Sequence, residues 1–112
     1  MAETVLYEKS GNIVTITLNR PAALNSINRQ LRREVAEAIT QFDGEDDAFV
    51  AIITGSGRAF CAGRDLKERA TDNAEGVQAT ASQSMSSDRP YMWPQTWKPT
   101  IAAVNGFALA GG

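Results

Sequence analysis

Two glycine-rich segments, separated by a long polar stretch, are the parts of this sequence whose residue types point most clearly to chemistry. The first spans residues 55–68 and the second spans residues 98–112. Each predicts a short apolar strand followed by a turn at which a helix can begin. Such a turn exposes backbone N–H groups, and glycine lets a ligand approach the main chain closely. Two turns of this kind, brought together, can stabilise the negative charge on one developing oxyanion.

The residue types that the sequence lacks exclude several kinds of catalytic and metal site. No histidine is present, which excludes a Ser–His or Cys–His pair within these residues and removes the commonest general base and metal ligand. The single cysteine, Cys61, excludes an internal disulfide and fits a reducing compartment. Without a histidine partner, we expect Cys61 to be a buried apolar side chain rather than a nucleophile. The spacing of the acidic residues suggests no metal site, and we expect none.

The overall composition is typical of a globular domain. Hydrophobic residues make up 43% of the chain and charged residues 21%, which is enough for one modest core in 112 residues. The net charge of −2 and the even spread of the 11 basic residues argue against nucleic acid as a partner. No apolar run approaches the roughly 20 residues that span a bilayer, and the N-terminus lacks the pattern of a signal peptide. We therefore expect a cytoplasmic protein without a membrane partner.

Hydrophobic periodicity predicts the first elements that must position the two segments. Residues 3–8 and 13–18 alternate apolar and polar side chains around a turn, which predicts a β-hairpin that ends before Pro21. A helix is expected to follow, with Gly44 as a left-handed C-terminal cap. This helix is predicted because four apolar residues recur at helical spacing: Leu31, Val35, Ile39 and Phe42.

The remaining elements lie on either side of the first glycine-rich segment. Residues 49–54 form a continuous apolar run, typical of a strand that is buried on both faces. The order strand, helix, strand predicts that this run pairs in parallel with the second hairpin strand. We expect a short helix to begin at Asp65 and a last strand at residues 100–104. A further helix is expected before Lys98, with Trp97 packed in the core or an interface.

The triplet Gly63-Arg64-Asp65 has two interpretations. In the functional one, the backbone N–H of Arg64 is an unpaired donor of a first helical turn and polarises a bound carbonyl, while Asp65 caps the helix. In the structural one, the triplet is an ordinary glycine turn before a helix, and the local pattern alone favours this interpretation.

The same alternatives apply to Gly106 and to the pair Gly111-Gly112. Glycine at these positions indicates that a side chain would block something, although a structural turn is again favoured by the local pattern. Three carboxylates near the first segment are candidates for acid–base roles, but solvated or capping roles are favoured for them: Asp65, Glu68 and Glu75.

Taken together, the segments are more specific than they are apart. Residues 60–68 (Phe-Cys-Ala-Gly-Arg-Asp-Leu-Lys-Glu) resemble the first signature of the crotonase superfamily, the enoyl-CoA hydratases and isomerases. Residues 98–112 (Lys-Pro-Thr-Ile-Ala-Ala-Val-Asn-Gly-Phe-Ala-Leu-Ala-Gly-Gly) resemble its second signature. Residues 18–26 (Leu-Asn-Arg-Pro-Ala-Ala-Leu-Asn-Ser) are similar to its N-terminal motif. The three motifs stand in the order and spacing of the family, so the resemblance covers essentially the whole chain.

The resemblance implies a fold and a ligand. The fold is α/β, a spiral of repeated ββα units, usually assembled as trimers or pairs of trimers. The ligand is an acyl-CoA thioester, so coenzyme A belongs to the substrate and no separate cofactor is implied. Arg64 and Gly111 match the two backbone N–H donors of the oxyanion hole. A further set matches residues that border the CoA moiety: Ala22, Ala23, Leu24, Ala62, Gly63, Asp65 and Leu66.

The resemblance also implies how far the chain extends into the fold. Residues 1–112 correspond to the N-terminal portion of a crotonase-fold domain and end within the second motif, so the acid–base glutamates of the family would lie further along. The implied function is that of an enoyl-CoA hydratase of fatty acid metabolism, which adds water to a trans-2-enoyl-CoA. Isomerase, thioester hydrolase and dehalogenase remain alternatives within the family. The alternative outside the class of enzymes is a fragment that binds acyl-CoA without catalysis.

Overall fold

In the part of the chain that the structure describes, the fold consists of two small β-sheets, both with parallel strand pairs, and an amphipathic helix. A computed structural model describes residues 3–66, 94–110 and 112 of the chain. Among these residues, a short 3-10 helix, Pro21–Ala23, follows the hairpin. The remaining elements are β1 (Val5–Ser10), β2 (Ile13–Leu18), α1 (Arg29–Gly44), β3 (Val50–Gly55), β4 (Ala59–Cys61), β5 (Thr100–Ala102) and β6 (Phe107–Ala108).

The larger sheet has the strand order β1-β2-β3-β5, and the smaller sheet pairs β4 with β6. Strands β1 and β2 form the predicted antiparallel hairpin, with Ser10 opposite Ile13. Strand β3 runs parallel to β2, and β5 runs parallel to β3. The parallel pairing of β2 with β3 confirms the prediction from the strand, helix, strand order, since α1 is the connection that returns the chain to the same end of the sheet.

The core lies between α1 and one face of the larger sheet. The predicted stripe of the helix is buried as expected: Leu31, Val35, Ile39 and Phe42 are all at most 3% exposed. From the sheet, Val14, Ile16 and Ile53 pack into the same cluster. These contacts explain why the chain folds into a helix here, because the apolar stripe is buried only when the helix lies on the sheet.

Strand β3 was predicted to be buried on both faces, and this prediction is wrong for the described residues. Ala51 and Ile53 face the core and are buried, whereas Ile52 is half-buried and Phe49 is 59% exposed outside the strand. Among the described residues, α1 covers one face of the sheet, so alternate residues of the strand have different surroundings.

Both ends of α1 are capped, and the C-terminal cap differs from the prediction. At the N-terminus, the side chain of Asn28 accepts a hydrogen bond of 2.8 Å from the backbone N–H of Leu31. At the C-terminus, Gly44 belongs to the helix and is not a left-handed cap. The Lys98 ammonium donates instead to the carbonyls of Phe42 (2.7 Å) and Glu45 (2.8 Å). A cation at this end also interacts favourably with the helix dipole.

The segment before β5 differs from its prediction as well. Residues 94–99 are not helical, and Trp97 is fully exposed in this chain, so it does not pack in the core; the alternative that it packs at an interface stays a prediction. Two contacts fasten this segment to α1: the Lys98 ammonium lies 4.9 Å from the centre of the Phe42 ring, and the Thr96 hydroxyl donates to Asp43. The rest of the predicted helix at Tyr91–Trp93 lies outside the described residues. So do Glu68, Glu75 and the body of the short helix expected after Asp65.

Replacing Lys98 with methionine should destabilise the fold by about 1–3 kcal/mol, because two charge-assisted hydrogen bonds to helix carbonyls are lost while the apolar stem is kept. Urea unfolding of the native polypeptide that carries this sequence measures the change. The control is Lys9→Met, which breaks an exposed ion pair with Asp47 and should cost less. An unchanged midpoint for Lys98→Met would contradict the capping role.

Candidate functional site

The two glycine-rich segments meet through the smaller sheet. Strands β4 and β6 are parallel, with Ala59 opposite Phe107 and Cys61 opposite Ala108. Beyond the strands, the backbone N–H of Leu109 donates to the carbonyl of Cys61 at 3.1 Å. Because the carboxyl ends of parallel strands lie at the same edge, the turns that follow β4 and β6 begin side by side. The structure therefore brings together the two segments that the sequence marks as a pair.

The approach of these segments is so close that glycine is required. A methyl group at Gly106 would overlap the carbonyl oxygen of Arg58, and a methyl group at Gly112 would overlap that of Cys61. Both obstacles are backbone atoms, which cannot move aside as a flexible side chain can. The expectation that a side chain would block something at these positions is confirmed for Gly106 and Gly112, while Gly111 lies outside the described residues.

Arg64 lies in a turn whose backbone is held on both sides. Gly63 is buried and has φ +94°, a conformation that favours glycine. The N–H of Ile27 donates to Gly63 O at 2.6 Å, and the N–H of Asp65 donates to Ile27 O at 2.7 Å. This is a parallel bridge between Ile27 and Arg64. In such a bridge the N–H of the central residue points away from the partner strand, so the Arg64 N–H is directed away from Ile27.

The N-terminal motif adjoins the first glycine segment. Ala22 and Ala23 belong to the short 3-10 helix, where Ala22 is exposed and Ala23 half-buried. Leu24 ends that helix in the left-handed region, and its carbonyl accepts a hydrogen bond of 3.1 Å from the N–H of Ala62. The residues that the family resemblance assigns to the CoA side thus come from two neighbouring segments. Leu66, the last of them, is 75% exposed.

Asp65 was expected to be solvated or to cap a helix, and its surroundings correct the first of these interpretations. Its side chain is only 13% exposed, and Oδ2 lies 3.1 Å from Nη2 of Arg20. The guanidinium of Arg20 also donates through Nη1 to the carbonyl of Ser26 at 2.7 Å. The Arg20 guanidinium stabilises the charged form of this partly buried carboxylate. This environment does not favour Asp65 as an acid–base group.

Two asparagines that the sequence analysis left without a role hold the turn before β4. The side-chain amides of Asn25 and Asn105 both donate to the carbonyl of Ala59, at 2.9 and 3.2 Å. Asn25 is completely buried, and its Oδ1 accepts from the N–H of Arg20 at 2.7 Å. Asn105 accepts from the N–H of Gly55 at 3.0 Å. The sequence could have indicated a structural role for both asparagines, because each stands inside a motif among apolar and small residues.

Cys61 is the buried apolar side chain that the sequence predicts. It is free and 2% exposed, and burial raises the pKa of its thiol. A raised pKa lowers the thiolate fraction near neutral pH, which is the opposite of what a nucleophilic cysteine needs.

The described part of the chain has neither a cluster of metal-ligating side chains nor a helix that could cross a membrane. Within residues 3–66, 94–110 and 112, no cluster of three or more histidine, cysteine, aspartate or glutamate side chains is arranged to hold a metal ion. In the same residues, no helix has both the length and the apolar character needed to cross a membrane.

Comparison with known proteins gives a consistent result for family and fold. A family profile described as Enoyl-CoA hydratase/isomerase matches residues 8–112. A probable enoyl-CoA hydratase of Mycobacterium tuberculosis is 42% identical over 98% of this chain and 41% of its own length. The 1,2-epoxyphenylacetyl-CoA isomerase of Escherichia coli is 36% identical, covering all of this chain and 44% of that protein.

Solved structures agree with these matches. The crystal structure of a probable enoyl-CoA hydratase/isomerase from Mycobacterium abscessus is 43% identical, with a TM-score of 0.74 over 99% of this chain and 41% of that one. The structure of EchA1_1 from Mycobacterium paratuberculosis has a TM-score of 0.80 at 36% identity, and the match covers all of this chain and 42% of that one. The α/β fold is therefore that of the crotonase superfamily, and the chain spans about two fifths of the length of these relatives.

Replacing Gly106 with alanine should separate β4 from β6 and destabilise the fold, because the new methyl group meets the Arg58 carbonyl. We expect a loss of about 1–3 kcal/mol in the free energy of unfolding. The matched control is Gly44→Ala, where nothing lies within 4 Å of the added carbon; in a helix this change should be neutral or stabilising. Equal unfolding midpoints for the two variants would show that the close approach is not a constraint.

The thiol of Cys61 should react slowly with iodoacetamide in the native protein at pH 8 and rapidly in urea. Burial removes it from solvent and raises its pKa, so at pH 8 less of it is thiolate than in a free cysteine. The rate of mass increase on alkylation measures both states. Native labelling as fast as that of the unfolded chain would contradict the buried, protonated thiol.

Proposed function

This chain belongs to the enoyl-CoA hydratase/isomerase family of the crotonase superfamily, and from that premise we propose that it forms part of an acyl-CoA enzyme. The proposed reaction is the addition of water across a trans-2-enoyl-CoA. In this proposal the thioester oxygen is held by two backbone N–H groups, those of Arg64 and Gly111.

The observation that supports this proposal most directly is the parallel pairing of β4 with β6. It starts the two candidate donor turns at one edge of the same small sheet, with Leu109 N–H bonded to Cys61 O at 3.1 Å. No side chain of either turn is required for the chemistry, which agrees with the small residues that flank the proposed donors, Ala62 and Gly63 before Arg64 and Ala110 before Gly111. The Arg64 side chain is accordingly not assigned a catalytic role.

Backbone donors suit this reaction because of when charge develops. Attack of water at the β-carbon of an enoyl thioester converts the thioester into an enolate, whose oxygen carries negative charge in the transition state. Fixed N–H donors therefore stabilise the transition state more than the ground state. Loss of one such donor costs about 3 kcal/mol in comparable sites.

The binding of the CoA part is proposed for the surface where the two segments adjoin. Ala22, Ala23 and Leu24 lie on one side, and the Leu24 carbonyl ties them to Ala62 on the other. Gly63, Asp65 and Leu66 continue the same surface. Ala22 and Leu66 are exposed on this surface, and their exposure leaves room for an extended ligand.

Proton transfer is not assigned to the described residues. Asp65 is the carboxylate next to the Arg64 turn, and it is ion-paired. We propose that acid–base glutamates lie in positions that the relatives carry beyond the matched region. The same proposal includes assembly as a homotrimer or hexamer, a place in fatty acid metabolism and a cytoplasmic location.

An isomerase is the second candidate, because the family profile that matches residues 8–112 is described as Enoyl-CoA hydratase/isomerase. An isomerase would use the same two N–H donors, since it also passes through an enolate. Product analysis distinguishes the candidates: a hydratase converts crotonyl-CoA to a hydroxyacyl-CoA, whereas an isomerase moves a double bond without adding mass. Binding of CoA esters without turnover would instead favour a non-catalytic binding role.

Removal of the Arg64 N–H should lower the rate far more than removal of its side chain. In the native polypeptide that carries this sequence, Arg64→Pro should reduce kcat for crotonyl-CoA hydration by roughly 10²–10³-fold. The control is Arg64→Ala, which keeps the N–H and should be much milder. Loss of enoyl absorbance measures the rate, and equal effects of the two substitutions would refute the backbone role.

Replacing Gly111 with valine should likewise abolish turnover, because a β-branched side chain adds bulk and restricts the backbone at the second proposed donor. The measurement is again hydration of crotonyl-CoA, with circular dichroism to verify folding. Normal turnover in a folded Gly111→Val protein would refute the assignment of that donor.

A further inference from the structure

We infer that Arg20 is a positioning residue for the proposed oxyanion-hole turn: its guanidinium ties the N-terminal motif to Asp65 and thereby fixes the direction of the Arg64 N–H. This inference rests on the proposed function, because it concerns the same turn. By this inference the N-terminal motif positions the Arg64 turn, in addition to its proposed contact with CoA.

The contact between Arg20 and Asp65 is short and shielded from water. Nη2 and Oδ2 are 3.1 Å apart, and the two side chains are only 20% and 13% exposed. Ion pairs with this little exposure are screened less by water and salt than pairs on the open surface. Asp65 comes directly after Arg64, so the pair acts on the carboxyl side of the candidate donor.

The other side of the guanidinium is anchored as firmly. Nη1 donates to the carbonyl of Ser26 at 2.7 Å and reaches the Ser26 hydroxyl at 3.3 Å. The backbone of Arg20 is fixed too, since its N–H donates to Asn25 Oδ1 and its carbonyl accepts from the N–H groups of Ala23 and Asn25. A planar guanidinium with donors at fixed angles can join two segments at a set distance, which a flexible ammonium cannot do.

The turn itself needs such a tie. Gly63 supplies the positive φ that the turn requires, but glycine also permits many other conformations. Ala62 and Asp65 donate their backbone N–H groups to the carbonyls of Leu24 and Ile27, and the carbonyl of Gly63 accepts from the N–H of Ile27. The Arg20–Asp65 pair adds a side-chain restraint on the same turn. Catalytic stabilisation of an oxyanion depends on such restraint, because a displacement of about 1 Å can cost 10²-fold in rate.

The competing explanation is that the Arg20–Asp65 pair is purely structural. The structural and the positioning roles differ in which measured property of the protein they affect. A structural pair affects the free energy of unfolding. A positioning pair changes the polarisation of a bound thioester carbonyl and kcat, with little effect on substrate affinity. The carbonyl stretching frequency of a bound acyl-CoA reports polarisation directly, since hydrogen bonds to the oxygen lower that frequency.

The experiment uses the native polypeptide that carries this sequence and butanoyl-CoA labelled with ¹³C at the thioester carbonyl, which cannot be hydrated. Infrared difference spectra, the Kd of the same ligand, and kcat with crotonyl-CoA are measured for the wild type, Arg20→Met and Arg20→Lys. Lys9→Met is the control, because it also breaks an ion pair but lies in the hairpin, away from the turn.

In the wild type, binding should lower the carbonyl frequency. Arg20→Met should lose much of that shift and about tenfold or more in kcat, while Kd changes by only a few-fold. Arg20→Lys should restore part of the shift, and Lys9→Met should retain all of it. Asp65→Asn should reduce the frequency shift as Arg20→Met does. The double variant Arg20→Met/Asp65→Asn should lose no more of the shift and of kcat than either single variant.

Three results would overturn the inference. The full wild-type shift in Arg20→Met, with only a lower unfolding midpoint, would make the pair structural. Additive losses in the double variant would show that Arg20 does not act through Asp65. Absence of a shift in the wild type would refute the proposed oxyanion hole itself, whereas a wild-type shift that survives in Arg20→Met would refute only the role of Arg20.

Discussion

The distance between the β4 and β6 backbones is the constraint on which the candidate site depends. Gly106 and Gly112 pass so close to the carbonyls of Arg58 and Cys61 that no side chain fits between them. This closeness allows strand pairing in a sheet of only two short strands. Isolated two-stranded sheets are marginal in water, so the pair must be held by its surroundings. The interactions with the rest of the fold supply that support.

Polar groups add to the support that the buried side chains of β4 provide. The side chains of Asn25 and Asn105 both donate to the carbonyl of Ala59, so one backbone oxygen links the N-terminal motif, β4 and the segment before β6. Lys98 fastens the start of the second segment to the end of α1. Asn25 is completely buried, and a buried polar group is costly unless it is satisfied, which makes this position sensitive to small displacements. The glycine turns are therefore placed by a hydrogen-bonded frame, with the apolar core beneath it.

Local patterns in the sequence predict the larger elements correctly, since their cause is local. The hairpin, the stripe of α1 and the parallel pairing of β2 with β3 follow from alternation, helical spacing and element order. The errors arise where a distant residue decides the outcome. Gly44 stays helical because Lys98 caps the helix, and Asp65 is paired because Arg20, 45 positions earlier, reaches it. The motif resemblance relates the two glycine segments, but only the fold shows how closely they approach.

The strand order also has a consequence for how the site assembles in time. Strands β1 and β2 are joined by a short turn, so the cost in chain entropy of pairing them is small. The contacts of the segment that contains β5 and β6 join residues much farther apart, such as Thr54 and Ala103, which are separated by 49 positions. Contacts of long sequence separation form slowly because a large loop must close before any of them is gained. The hairpin and helix thus provide a template on which the oxyanion-hole segments dock late in folding.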